Sequence, residues 1–117
     1  MKINSRTVDG VTILDLEGRI DVGDDIADLK RSIGELIADG RRSVLLNLQD
    51  VPYIDSSGIG ELVAAFTKIR NSGGNLKLLN LTKKVRTLLE ITRLHSVFDV
   101  KDDEAAAVHS FSTDAVS

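Results

Sequence analysis

Near the middle of the chain, Val44-Leu45-Leu46-Asn47-Leu48 is apolar at every position but one. A strand with one face in water alternates apolar and polar residues. A near-continuous run belongs to a strand covered on both faces, as in a parallel sheet between layers of helices. The next segment narrows the fold further. The link Gln49-Asp50-Val51-Pro52-Tyr53-Ile54 leads into Asp55-Ser56-Ser57-Gly58-Ile59-Gly60. From there Ile59, Leu62, Val63, Phe66 and Ile69 share one helix face. A buried strand therefore hands over to a helix, with two hydroxyls and a carboxylate at the junction.

The flanking segments complete the pattern. Ile3 to Val8 reads as a short polar edge strand, and Asp9-Gly10 as a hairpin turn. Val11, Ile13, Leu14 and Leu16 mark a second strand that ends at Gly18. Apolar positions 22, 26, 29, 33, 36 and 37 predict a helix from Val22 that closes at Asp39-Gly40. Gly34 inside it costs roughly 1 kcal/mol relative to alanine. Ser72-Gly73-Gly74 ends the next helix, and Leu76, Leu78, Leu79 and Leu81 give a third buried strand. Thr82 is placed to cap a helix carrying Val85, Leu88, Leu89 and Leu94. Val97 to Val100 is a short last strand, Asp102 to Val108 starts an acidic-ended helix, and 112–117 is expected to fray. The order is β-β-α-β-α-β-α-β-α. It predicts a single α/β domain over residues 1–117 with a mixed, mostly parallel sheet of four to five strands and about four helices.

Composition removes several functions. A net charge of −3 and a pI near 5.3 argue against nucleic acid as the partner. Arg41-Arg42 and Lys83-Lys84 are isolated basic pairs, expected at solvated element ends. No cysteine is present, which excludes disulfide and thiol chemistry. The amino end lacks a signal-peptide core, and no apolar run approaches the ~20 residues of a membrane span. A cytoplasmic protein with no membrane insertion is expected, a monomer by default. His95 and His109 stand apart with no ligand partner, Asp24-Asp25 and Asp102-Asp103 read as first-turn charges, and Gly58-Ile59-Gly60 lacks the third glycine of a dinucleotide loop. No metal or cofactor is expected. Ser56 has neither a spaced histidine base nor a Gly-x-Ser-x-Gly elbow, so the chain is not expected to be an enzyme.

In open α/β sheets, function gathers at the carboxyl ends of the strands. Gly18-Arg19-Ile20-Asp21 follows the carboxyl end of the second strand, and Asp55-Ser56 that of the central one. If those strands are parallel neighbours, Asp21 and Ser56 share a rim. A helix start has unpaired N–H groups and a positive dipole end, so it holds a phosphate well.

Gly18-Arg19-Ile20-Asp21, Leu45-Leu46-Asn47-Leu48, Tyr53 to Gly60, Gly73 to Leu78 and the Thr82 to Leu94 segment together resemble the STAS domain, and more closely the bacterial anti-sigma factor antagonists. The resemblance spans about residues 3 to 108. It implies that Ser56, directly after the aspartate, is the phosphorylation site. It implies that the unphosphorylated protein binds an anti-sigma factor with serine kinase activity and so releases a sigma factor. A metal-dependent serine/threonine phosphatase would reset the switch. The implied partner surface is Asp21, Asp55, Ser56, Ser57, Gly58 and Ile59, with Ser57 as the expected helix cap and Ile59 shared with the core. Arg19 stands where many relatives have Glu, which changes the charge facing the partner. The segment after Lys101 is variable in the family and transfers no role. A stressosome-type scaffold, an accessory domain of a membrane-transport complex and a small hydrolase using Ser56 are the rival readings.

Overall fold

The amino-terminal hairpin forms as the Asp-Gly pair predicts. β1 (Lys2–Val8) and β2 (Val11–Glu17) pair antiparallel, and Asp9 and Gly10 take φ of 49° and 81°. Positive φ at both turn residues matches the twist of a two-residue hairpin. The computed structural model describes every residue except Val22 and Ser117, with side chains described as far as Ser112. β2 pairs in parallel with β3 (Ser43–Asp50), β3 with β4 (Asn75–Leu79), and β4 with β5 (Val100–Lys101), giving the order β1-β2-β3-β4-β5. Helices α1 (Asp24–Ala38), α2 (Ser56–Asn71), α3 (Lys83–Ile91) and α4 (Glu104–Val116) follow β2, β3, β4 and β5.

Both faces of β3 are covered, as its apolar run requires. Val44, Leu45, Leu46 and Leu48 are each 0% exposed. Leu14, Leu16, Leu46, Leu48 and Leu78 pack under α1, α2 and α3, against Leu29, Ile33, Leu62, Ile69, Val85 and Leu89. Each such leucine contributes about 1.5–3 kcal/mol by leaving water. On the other face Ile13, Leu45 and Leu79 meet Ala107, Val108 and Phe111 of α4.

Several boundaries differ from the sequence reading, each for a local reason. The helix expected from Val22 starts at Asp24, because Gly23 (φ 110°) makes its N-cap; Val22 lies outside the described residues. β4 stops at Leu79, since Asn80 turns the chain with φ 56°, and Leu81 packs on the core from outside the sheet. α3 stops at Ile91, so Leu94 sits in a separate short 3-10 turn (Leu94–Ser96) entered through Arg93 at φ 61°. The strand expected over Val97 to Val100 shrinks to Val100–Lys101, because that turn leaves Val97 exposed and spends Phe98 on the core. α4 starts at Glu104, and the Asp103 carboxylate caps the Ala106 N–H at 2.8 Å. Within the segment expected to fray, the backbone is helical as far as Val116; Ser117 lies outside the described residues.

Polar contacts fasten α4 in ways the sequence did not signal. Arg6 of β1 donates to Asp15 of β2 (Nε to Oδ2, 2.7 Å) and to Glu104 of α4 (2.9 Å), and Asn47 of β3 donates to the same Asp15 at 2.8 Å. Hydrogen bonds from Arg6 hold the carboxyls of Glu104 and Asp15 below their usual range. Lys77, 1% exposed on β4, donates to Ser110 Oγ at 2.7 Å and lies 3.3 Å from Asp99.

The depressed carboxyls set a pH dependence. Unfolding returns both groups to about pKa 4, so unfolded chains bind protons that the folded pair refuses. The stabilisation is complete above that value and is lost as the pH falls through the lower folded values. All three side chains are a third or so exposed, which keeps the effect modest. Thermal midpoints between neutral and acid pH should fall more steeply for the natural chain than for Arg6→Ala; parallel curves would show that the network contributes nothing.

Candidate functional site

The strand pairing of β2 and β3 outlasts the strands. Gly18 N–H donates to the Asp50 carbonyl at 3.0 Å, Ile20 N–H to that of Tyr53 at 3.0 Å, and Asp55 N–H to that of Ile20 at 3.2 Å. Ile20 and Ile54 form an isolated parallel bridge with both side chains buried. The residues after them, Asp21 and Asp55, therefore leave the sheet side by side. The shared rim expected from parallel neighbours is present.

Asp55 keeps an extended backbone (φ −95°, ψ −177°), and its carboxylate accepts the Gly58 N–H at 2.8 Å. Asp55 is thus the N-cap of α2. This corrects the assignment of the cap to Ser57. The bridge fixes Asp55 as the last extended residue, so the helix begins at Ser56, and Ser57 falls on its second position. Ser56 and Ser57 are both exposed. Among the described residues their N–H groups meet no backbone acceptor, as expected for a first helical turn.

Gly58 explains how α2 comes so near the rim. A Cβ there would lie 2.4 Å from the Ile20 carbonyl oxygen and 2.9 Å from its Cγ2. Only glycine lets the helix pass beneath Ile20. Ile59 (7% exposed) and Leu62 (0%) continue into the core. Of the six residues expected to face a partner, Asp21, Asp55, Ser56 and Ser57 reach the surface. Gly58 and Ile59 are buried.

The rim around Ser56 is crowded with charge. Arg19 Nε lies 3.4 Å from Asp21 Oδ2, and its guanidinium sits 4.8 Å from the Tyr53 ring centroid. Asp21 belongs to the loop before Gly23, the N-cap of α1, which has no side-chain cap bond. The Met1 amino group donates to Asp25 of α1 at 2.8 Å. That bond, above all, holds the Asp25 carboxyl below its usual range, and Asp21 and Arg19 lie close enough to add to the effect.

Beside Ser56 runs a feature the sequence reading missed. Tyr53 and Ile54 form one wall of an apolar groove of about 440 Å³, and Lys83, Lys84, Leu88 and Ile91 of α3 form the other. Ile91 is 72% exposed and Tyr53 40%. The available signal was Ile91 itself, an apolar residue off the stripe of Val85, Leu88 and Leu89. His95 and His109 lie elsewhere, each lining a different hollow. Among the described residues no group of three or more side chains could hold a metal ion, and no helix is long and apolar enough to cross a membrane.

Three substitutions separate these roles. Asp55→Ala should cost about 1 kcal/mol by removing the cap. Ser57→Ala should stay within about 0.5 kcal/mol. Gly58→Ala should cost about 1–3 kcal/mol, because Ile20 must move to admit a methyl group. Urea unfolding measures all three, and a larger loss for Ser57→Ala than for Asp55→Ala would overturn the cap assignment.

Known proteins share this architecture. The family model described as the STAS domain matches residues 2–107. The chain is 42% identical over 53 residues to the anti-sigma-B factor antagonist of Bacillus subtilis, a match spanning 45% of this chain and 49% of that one. It is 29% identical over 113 residues to BtrV of Bordetella bronchiseptica, covering 97% of each. The solved structure of TM1081 from Thermotoga maritima superposes with a TM-score of 0.86 at 27% identity, over 93% of both chains. With the hairpin-led parallel sheet and the Asp55-Ser56 rim in place, the match over residues 2–107 makes this chain a member of the STAS domain family.

Proposed function

We propose that this protein is an anti-sigma factor antagonist whose binding is switched by phosphorylation of Ser56. The observation that carries the reading is the exposed Ser56 hydroxyl at the first position of α2, beside Asp21 on a rim fixed by the Ile20–Ile54 bridge. A serine in that place can enter a kinase site without any unfolding. The unphosphorylated rim binds an anti-sigma factor that is itself a serine kinase, which frees a sigma factor. A serine/threonine phosphatase restores the binding form. The chain is then substrate and ligand rather than enzyme, and it works in the cytoplasm.

The electrostatics support an on–off switch. A phosphate adds about −1.5 to −2 charges at neutral pH. The N–H groups of Ser56 and Ser57, which meet no backbone acceptor among the described residues, lie at the positive end of the α2 dipole and can hold it where it forms. Asp21, Asp25 and Asp55 lie along the rim, with Arg19 and the Met1 amino group as the nearby counter-charges. Adding a dianion turns this patch strongly negative and bulky. A partner surface shaped for the hydroxyl then meets repulsion and a desolvation cost. The apolar groove between Tyr53 and α3 is unchanged by the modification and continues the docking face beside it.

Incubation with ATP and a serine kinase from the source cell should add one phosphate, placed on Ser56 by fragment mass analysis and absent in Ser56→Ala. Ser56→Ala should keep partner binding, and Ser56→Asp should weaken it about tenfold or more. Equal affinity of the two variants would defeat the phosphoswitch.

A further inference from the structure

The pole of the sheet opposite Ser56 carries charge that the switch does not use. Arg42, just before β3, and Arg70, at the end of α2, line one hollow of about 300 Å³ together with Ser43, the Gly73-Gly74 turn and Phe111. Four arginines find carboxylates: Arg6 pairs with Asp15 and Glu104, Arg19 with Asp21, Arg31 with Asp28 and Arg86 with Asp102, whereas Arg41 and Arg93 form no such pair among the described residues. Among the described residues Arg42 and Arg70 have no such partner, and Arg70 instead lies 5.8 Å from the Phe66 ring centroid.

The backbone builds this hollow. Asn75 N–H donates to the Arg42 carbonyl at 2.7 Å, tying the turn before β3 to the turn after α2. A Cβ on Gly74 would lie 2.3 Å from that carbonyl oxygen, so glycine is needed for the two turns to close. Gly73 has φ 91°, and a Cβ there would stand 3.9 Å from Arg42 Nε. The guanidinium of Arg42 therefore lies over a turn with no side chain between them. A cation at the end of α2 suits the helix dipole, which accounts for Arg70 alone. It does not account for Arg42, whose Nε stands over Gly73 on the other side of the same hollow.

Two guanidinium groups offer forked donors that match the oxygens of a phosphate. The volume is at the small end of ligand pockets, which favours a compact anion over a macromolecule. We propose that this hollow is a second site, which binds a phosphate dianion, free or carried on a small metabolite, through Arg42 and Arg70. It works independently of the modification at Ser56.

The test is amide and aromatic NMR of the full chain, titrated separately with inorganic phosphate and with adenosine monophosphate at millimolar concentration and fixed ionic strength. Saturable shifts at Ser43, Gly73, Gly74 and Asn75 are expected with both, weakened about tenfold or more in the Arg42→Ala, Arg70→Ala double variant. Equal affinity for the two ligands assigns the site to the phosphate alone; tighter binding of the nucleotide with Phe111 ring shifts assigns a metabolite. Arg86→Ala, whose partner Asp102 lies elsewhere, should bind as the natural chain does. No shifts with either ligand, shifts centred on Ser56 to Gly58, or shifts that survive in a folded double variant would overturn the site.

Discussion

The bridge between Ile20 and Ile54 is the constraint on which the site depends. β2 and β3 end at Glu17 and Asp50, yet backbone hydrogen bonds of 3.0–3.2 Å keep their chains paired through Ile20 and Asp55. Both isoleucines are buried, so parting the loops would expose apolar surface and strand backbone groups at once. Gly58 completes the arrangement by letting α2 run directly under the Ile20 carbonyl. Asp21, Asp55 and Ser56 thus become neighbours through covalent geometry and backbone bonding. Their proximity needs no contact among their own side chains. A surface fixed in this way holds Ser56 in one place, so under the proposed switch a partner would read the change of charge itself.

The two faces of the sheet follow different physics. Aliphatic packing under α1, α2 and α3 supports the rim and leaves room for the groove at α3. The α4 face mixes a small apolar cluster with Arg6, Asp15, Glu104 and the buried Lys77. Burying a lysine costs desolvation, offset here by Ser110, by Asp99 and by the Phe111 ring 4.7 Å away. Such contacts add little net stability once desolvation is counted. They lie on the face of the sheet away from α2 and the Ser56 rim.

Much of this was legible in the sequence because it rests on strong local signals. The Val44 to Leu48 run required cover on both faces, Asp9-Gly10 fixed a hairpin, and the Thr82 cap accepts the Val85 N–H as its type and place suggested. The cap of α2 was not legible. Asp55, Ser56 and Ser57 can all cap a helix, and the choice among them is made by Ile20, distant in sequence. Lys77 lies in a strand recognised from its leucines alone, and the docking of α4 buries it. The groove was not legible because Ile91, off the apolar stripe of α3, forms it only with Tyr53 and Ile54 from a separate segment. The short β5 was misjudged for a related reason: Val97 and Phe98 have strand-like side chains, but the 3-10 turn before them sets their direction.

The most direct measurement is a comparison of backbone amide NMR spectra for the unmodified chain and the chain carrying phosphate on Ser56. The account predicts shifts confined to Arg19–Asp21, to Tyr53 through Gly60 and to the facing end of α3, with β3, β4 and α4 unchanged. Shifts spread through the strands and α4 would show that modification acts by refolding the domain, and would contradict a switch that works by charge on a fixed surface.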